Sequence, residues 1–190
     1  MAIVINGSTN SISGLAVGGL PNGIVDADTL ATGVGGKVLQ FKSENAFATA
    51  SQSTNSSSFG AIANMPTLVI TPTVVTSVIF ITVTSTIMAS QNDRGVQVTL
   101  FKKVGSGSYA DVRTDGDNGG LIGHKGRGGS SNNGDINPFA LTFEDDHNTT
   151  SELSYKLYWR TTNADSDSRF GYAAGGANCQ TTISAFEIAA

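Results

Sequence analysis

Two histidines, His124 and His147, are the side chains of this chain that could act as bases near neutral pH. His147 lies in the run EDDHN, beside Asp145 and Asp146, and a neighbouring carboxylate can orient a histidine for proton transfer. A hydrolase would also need a nucleophile held in a recognisable turn, and the sequence offers none. The pattern therefore predicts a charged turn between two strands, and we expect that the chain is not an enzyme.

The sequence also gives little indication of a metal or cofactor site. A single cysteine, Cys179, excludes both an intrachain disulfide and a zinc site of Cys/His type. The glycine-rich run ATGVGGKV resembles a phosphate-binding loop, but Ala31 replaces its first glycine and Val38 its hydroxyl residue, so a linker is predicted. We expect no cofactor and no metal. Calcium bound by loop carboxylates remains an alternative, with these candidate ligands outside any EF-hand spacing: Asp111, Asp115, Asp117, Asp135, Asp145 and Asp146.

The charge balance argues against nucleic acid as a partner. The formal net charge is -4, whereas phosphate binding needs clustered lysine and arginine. One local basic cluster, His124, Lys125 and Arg127, lies in a glycine-rich stretch without aromatic neighbours and is predicted to be a solvated loop tip. The longest apolar stretch, residues 74–89, is interrupted by threonine and serine and is too polar to insert in a membrane. MAIVING does not resemble a signal peptide, so we expect synthesis in a cytoplasm.

Alternating apolar residues predict an all-β body. Ile79, Ile81, Val83 and Ile87 share one face of a strand over residues 77–89. A second half-buried strand is predicted from the alternation of Leu153, Tyr155, Leu157 and Trp159, and similar patterns recur near residues 38–42, 95–102, 139–143 and 181–188. The short apolar run at residues 68–70, between two prolines, is predicted to be an edge strand or a connection. Turn residues separate these segments, which indicates an antiparallel, jelly-roll-like sandwich over residues 37–190.

Residues 1–36 form a different kind of segment. Apolar residues stand in pairs between glycines in ISGLAVGGLPNGIV, without a period that would bury one face, so we expect an extended arm that docks on a partner. A short strand is predicted at residues 3–5, and a short helix near residues 26–32, capped by Asp26 and ended by Gly33. The predicted docking residues are Ile12, Leu15, Val17, Leu20, Pro21, Ile24, Val25 and Leu30.

The segment ISGLAVGGLPNGIVDADTLATGVGGKVLQ resembles one that recurs in tail-fibre and related virion proteins of tailed bacteriophages, especially those of marine bacteria and cyanobacteria. The last strand, ISAFEIAA, is similar to the closing strand of such proteins. In longer fibres the segment joins an upstream shaft to a distal domain, and here it begins almost at Met1. The resemblance implies a homotrimeric virion protein that joins another virion structural protein through its arm.

Two functions follow from that resemblance. The trimer is a short tail fibre whose body projects outward and attaches to a host-surface glycan, or it decorates the capsid as a cement or head-fibre protein. A virion-bound depolymerase is a weaker third option because no pair of carboxylates has a suitable spacing. Tyr109, Tyr158, Phe170 and Tyr172 have aromatic faces that could stack on sugars, but a place in the core or at a subunit interface is the favoured interpretation. The predicted host contacts are Asp117, Asn118, His124, Lys125, Arg127, Asn132, Asn133 and Tyr172.

Overall fold

The computed structural model describes residues 4–6, 11–13, 37–47, 52–89, 95–113, 122–125, 136–162, 168–171 and 179–189. Within these ranges all regular structure is β, and no helix is present. The chain divides into two units, Met1–Gly36 and Lys37–Ala190. The helix predicted near residues 26–32 lies outside the described residues.

The N-terminal unit contains a two-stranded hairpin. Strands β1 (Val4–Asn6) and β2 (Ser11–Ser13) pair antiparallel, with Ile5 opposite Ile12. The strand predicted at residues 3–5 is thus present one residue later, at residues 4–6.

The body contains two antiparallel sheets. The strands of the first sheet are β3 (Val38–Phe47), β4 (Gln52–Thr54), β7 (Val78–Ala89), β11 (Ile136–Asp145), β13 (Ser168–Phe170) and β14 (Gln180–Ile188). The strands of the second sheet are β5 (Gly60–Ala61), β6 (Leu68–Ile70), β8 (Gly95–Val104), β9 (Ala110–Asp111), β10 (Ile122–Lys125) and β12 (Leu153–Thr161). Within each sheet, every pair of hydrogen-bonded strands is antiparallel.

In each sheet, two strands can pair with different parts of the same side of one neighbouring strand. Counted as one position, such strands leave each sheet four positions wide. The first sheet runs from β11 to β7, then to β14 with β13, and ends at β3 with β4. The second runs from β10 with β9 to β8, then to β12, and ends at β6 with β5. Along most of its length the chain alternates between the two sheets, so that one strand position and the next along the chain belong to opposite sheets. This strand order is that of a jelly roll. The predicted antiparallel, jelly-roll-like body is present.

One hydrophobic core lies between the sheets. The predicted face of β7 is buried, since Ile79, Ile81, Val83 and Ile87 are at most 2% exposed. The alternating residues of β12 are buried in the same core. Trp159 of the second sheet meets Phe170 of the first edge to face, with ring centroids 6.2 Å apart. Aromatic contact across the sheets therefore accompanies aliphatic packing in holding them together.

Proline marks two outer strands. Pro138 lies inside β11, which pairs only with β7 among the described strands. Because proline has no N–H to donate to a ladder, it is compatible with a strand that has a free side. The run between Pro66 and Pro72 forms β6, which pairs with β12 alone in the described part of the chain. The edge-strand alternative is therefore confirmed for residues 68–70.

Candidate functional site

The outer face of the second sheet presents four aromatic rings, which we call the aromatic row: Phe59, Phe101, Tyr158 and Tyr109. Phe101 lies on β8 and Tyr158 on β12, whereas Phe59 and Tyr109 directly precede β5 and β9. Side chains alternate between the two faces of a strand, so the burial of Leu100, Leu157 and Trp159 directs their neighbours outward.

The rings of the row contact one another in sequence. Phe101 and Tyr158 stack with centroids 3.8 Å apart and planes inclined by 13°. Tyr158 is opposite Thr99 in the sheet, which makes Phe101 its diagonal neighbour, within reach of a large ring. Phe59 lies 6.4 Å from Phe101 at one end, and Tyr109 lies 6.4 Å from Tyr158 at the other. All four side chains are half-buried.

Cations lie against both ends of the row. The arginine pair, Arg113 and Arg160, lies 5.3 Å and 4.7 Å from the centroid of Phe59. The lysine pair, Lys103 and Lys156, lies 5.6 Å and 5.0 Å from the centroid of Tyr109. Each distance is within the range in which a cation is attracted by the negative face of a ring. The aromatic row with its two cation pairs is the aromatic-cationic face.

The arginine pair is held by further polar contacts. Asp111 accepts hydrogen bonds from the backbone N–H and the guanidinium of Arg113, and from the Thr99 hydroxyl at 3.0 Å. Burial raises the pKa of Asp111, but the hydrogen bonds from Arg113 and Thr99 outweigh it and lower that pKa overall. Arg160 donates from Nε to Oε1 of Gln97 at 2.7 Å. The arginines are therefore oriented by neighbours on their own sheet.

The lysine pair has a different environment. Within the described ranges, neither Lys103 nor Lys156 forms an ion pair with a carboxylate. Both side chains are half-buried, and their ammonium groups lie over the Tyr109 ring. The face thus combines four cations with the single carboxylate of Asp111, in a chain whose net charge is -4. Local positive charge of this kind attracts an anionic ligand.

A second polar cluster surrounds Glu187, which is fully buried near the end of β14. Its carboxylate accepts hydrogen bonds from Gln40 at 2.6 Å, from the backbone N–H and hydroxyl of Thr73 at 2.7 and 3.0 Å, and from Ser77 at 2.7 Å. Burial raises the pKa of Glu187, but the hydrogen bonds from Ser77, Gln40 and Thr73 outweigh this effect and lower it to about 2. The cluster fastens the loop between β6 and β7 to the first sheet.

This cluster also brings Ser77 to 3.2 Å from Nε2 of His147, an arrangement that looks like part of a catalytic triad. Its hydrogen-bond directions differ from those of a triad. Nδ1 of His147 accepts from the backbone N–H of Thr149, which assigns the proton of the neutral ring to Nε2. Nε2 then donates to Ser77 and cannot take its proton as a base. Of the charged turn predicted for EDDHN, Glu144 and Asp145 are the last residues of β11, and Asp146, His147 and Asn148 lie in the connection to β12.

A third cluster joins the two sheets. Asp145, at the end of β11, is 6% exposed. Its carboxylate accepts from Nζ of Lys102 at 2.7 Å and from the hydroxyl of the fully buried Tyr155 at 2.6 Å. Burial, together with the charge of Asp145, raises the pKa of Tyr155. Two predicted calcium ligands, Asp111 and Asp145, are thus occupied by protein cations. Among the described side chains, no group of three His, Cys, Asp or Glu residues is placed to hold a metal ion.

The predicted site residues fall largely outside the described part of the chain. Of the docking residues, Ile12 lies in β2 and Leu15, Val17, Leu20, Pro21, Ile24, Val25 and Leu30 are outside it. Of the host contacts, His124 and Lys125 lie in β10, and Asp117, Asn118, Arg127, Asn132, Asn133 and Tyr172 are outside it. The predicted loop tip at His124 and Lys125 is wrong, because their backbone pairs with Val96 and Gly95 of β8. Strand pairing takes precedence there over a glycine-rich local sequence.

Sequence reasoning missed most of the aromatic-cationic face. Tyr109 and Tyr158 were candidates for ligand contact, whereas Phe59, Phe101 and the cations were not. Phe170, a further candidate, is fully buried in the core. A usable pattern was present in β12, where Lys156, Tyr158 and Arg160 alternate with buried residues and share the outer face. The sequence also indicated a single basic cluster, but the fold assembles a second one from separate strands.

Comparisons with known proteins give only distant similarity. No family model and no curated protein matches the chain. Among solved structures, the chain is similar to one of infectious bursal disease virus, Gx strain, with 14% identity and a TM-score of 0.37 over 80% of this chain. The VP2 subviral particle of that virus is 14% identical, with a TM-score of 0.38 over 80% of this chain. The structure of its Gt strain is 11% identical, with a TM-score of 0.35 over 80% of this chain. The chain spans 38–39% of the length of those chains. Similarity at this level carries no argument about function.

No helix in the described ranges has the length and apolar character needed to span a membrane.

Proposed function

We propose that this chain is a virion structural protein of a tailed bacteriophage, a short tail-fibre-like homotrimer whose body attaches to a glycan on the host surface. The aromatic-cationic face is the observation that carries the attachment role. We propose a binding role for this face; Glu187, Asp145 and Asp111, by contrast, accept hydrogen bonds that link parts of the fold. The resemblance of residues 12–40 to tail-fibre segments supports the virion role.

The aromatic-cationic face suits attachment because its groups are held in place before a ligand arrives. Phe101 and Tyr158 belong to central, paired strands, and Arg113 is oriented by Asp111. Side chains that are already ordered lose less conformational entropy on binding. Repetition of the face around a threefold axis would multiply the strength of attachment to a surface that displays many copies of a glycan.

The N-terminal unit supplies the connection to the particle in this proposal. Its apolar residues between glycines would pack on another virion structural protein and on neighbouring subunits of the trimer. The separation of Met1–Gly36 from the body supports a division of labour between assembly and attachment. The proposal requires no cofactor, no nucleic acid and no membrane insertion.

A second candidate, a capsid decoration or head-fibre protein, is favoured by a different surface. On the outer face of the first sheet, Val38 is 55% exposed and Phe41 is 53% exposed. Phe41 contacts Phe186 at a centroid distance of 4.8 Å, and Phe186 in turn is opposite the half-buried Phe80. A continuous exposed apolar region of this kind marks a protein interface. In this alternative the body itself adheres to the capsid.

Imaging of intact particles separates the two candidates. We expect antibody against this chain, and the corresponding density in electron microscopy, at the tail. Density at the threefold positions of the capsid would overturn the fibre proposal and establish the decoration role.

Competition for host cells tests attachment directly. We expect the purified chain to reduce adsorption of the phage, and Tyr109→Ala to weaken this competition because the ring contacts Tyr158 and both lysines. Phe41→Ala is the matched control, since it removes an exposed ring from the other sheet. Equal competition by both variants would contradict a role of the aromatic-cationic face in attachment.

A further inference from the structure

We infer that the ligand of the aromatic-cationic face is an acidic polysaccharide, a sugar polymer with carboxylate or sulfate groups. This inference rests on the proposed function and specifies its ligand class. It follows from the way in which the rings and the cations cover one another.

One face of each central ring, Phe101 and Tyr158, is occupied within the protein. Phe101 and Tyr158 cover each other in a stacked pair, and their outer neighbours are Phe59 and Tyr109. At the two ends of the row, Phe59 and Tyr109 carry cations near their faces. A neutral sugar that binds by stacking needs a free ring face. Lys103, Lys156 and Arg160 are cations of this face that no carboxylate in the described ranges engages.

These cations are hydrogen-bond donors. Charge-assisted hydrogen bonds to carboxylate or sulfate are stronger than those to a neutral hydroxyl. Lys103 and Lys156 have no carboxylate partner in the described part of the chain, so an anionic ligand would not have to displace one. The contact of their ammonium groups with Tyr109 lowers the entropy lost when they bind.

The position of the cations indicates a polymer with separated charges. The arginine pair and the lysine pair lie at opposite ends of the row, with the stacked rings between them. A chain with one charge on each acidic sugar would contact both pairs at once. The second contact is then intramolecular and strengthens binding without a new kind of interaction.

Single-stranded nucleic acid fits this surface less well, although it is also a polyanion. Proteins bind it through a continuous basic groove and through bases stacked on free aromatic faces. Here Phe101 and Tyr158 stack on each other, and the cations lie near the two outer rings and do not line a continuous groove. The acidic polysaccharide is therefore the ligand class that the geometry favours.

Binding to matched polymers tests the inference. The probes are dextran, carboxymethyl-dextran with the same backbone, polygalacturonate, and single-stranded DNA, each presented to the full-length chain in surface plasmon resonance. We expect binding to the two carboxylated polymers that weakens as salt is added, and none to dextran. The double variant Lys103→Gln/Lys156→Gln should bind about tenfold more weakly. The control Lys37→Gln/Lys42→Gln removes the same charge from exposed residues of the body and should bind as the unaltered chain does.

Each contrary result is distinct. Equal binding of dextran and carboxymethyl-dextran would overturn the acidic ligand and leave glycan attachment standing. Tighter binding of single-stranded DNA than of either acidic polymer would overturn the polysaccharide, and so would equal weakening in both double variants. Absence of binding to both acidic polymers would overturn the inference, whereas failure of the attachment proposal would appear separately as loss of competition for host cells.

Discussion

Glu187 shows how a single residue depends on distant parts of the chain. Its carboxylate is fully buried, and its hydrogen-bond donors come from β3 and from the loop that precedes β7. A buried carboxylate without such donors would be protonated near neutral pH, because burial penalises the charged form. Here the hydrogen-bond donors outweigh the effect of burial and lower the pKa of Glu187 to about 2, below the ordinary value of 4.5.

Replacement of Glu187 should remove a pH-dependent part of the stability. A carboxyl whose pKa is lower in the folded chain stabilises it fully above the unfolded pKa, and this stabilisation is lost as pH falls through the folded pKa. The window for Glu187 therefore extends from about pH 4.5 down to about 2. We expect Glu187→Gln to reduce the free energy of unfolding at pH 7 by about 2–3 kcal/mol. We also expect it to flatten the decline of that free energy across the window.

Chemical denaturation at a series of pH values measures this effect. Glu144→Gln is the matched control, because Glu144 is an exposed carboxylate near the end of β11 in the same sheet. In the control variant, the free energy of unfolding should fall with pH across this window as it does in the unaltered chain. A decline of the same steepness in Glu187→Gln would show that its hydrogen bonds do not lower the pKa.

At the scale of elements, β12 serves both the core and the candidate site. It is paired on both sides, with β8 on one side and with β6 and β5 on the other. One set of its alternate residues fills the core, and the other set, Lys156, Tyr158 and Arg160, forms part of the aromatic-cationic face. A shift of one residue in its register would exchange the two sets. The need to bury Leu157 and Trp159 therefore fixes which side chains a ligand meets.

Truncation of a side chain in β12 should be costly. Leu157 is 1% exposed, and Leu157→Ala should lower the free energy of unfolding by about 2–5 kcal/mol through lost burial and a residual cavity. Val69→Ala is the control, since Val69 lies on the adjoining strand β6 with 40% of its surface exposed, and its effect should stay within about 0.5 kcal/mol. Urea unfolding at one fixed protein concentration provides the comparison. Equal losses in the two variants would contradict the placement of Leu157 in the core.

At the scale of the whole molecule, the chain is two units of different character. The body, Lys37–Ala190, contains the core and the described polar clusters, whereas the described part of the first unit is one short hairpin. A hairpin of that size is marginally stable by itself in water. The proposed role in assembly would give the first unit a partner that completes its packing.

Deletion of residues 1–36 tests this division. We expect residues 37–190 to unfold cooperatively, to remain trimeric at micromolar concentration by light scattering, and to be absent from assembled particles. The full-length chain, added in parallel, is the control for incorporation. Loss of folding on deletion would show that the first unit contributes to the core, and a monomeric full-length chain would contradict the trimer.

The sequence by itself determined the class of fold and most of the buried residues. Alternation in β7, β8, β11 and β12 reflects a local requirement, since one face of each strand must leave water, and this requirement is visible in a short window. Apolar periodicity predicted the strand that contains Tyr158. The same alternation placed the Tyr158 side chain on the face opposite the core. The same local rule failed for His124 and Lys125, where pairing with β8 outweighed the turn-forming composition of the neighbouring residues.

Only the tertiary structure decided which polar and aromatic residues meet. Phe59, Phe101, Tyr109 and Tyr158 come from four separate segments, and the two cation pairs are drawn from strands and turns far apart in the chain. Glu187 and Ser77 are likewise separated by 110 residues before the fold joins them. Such contacts depend on strand order and register, which arise from the packing of all strands together, and no local pattern records them.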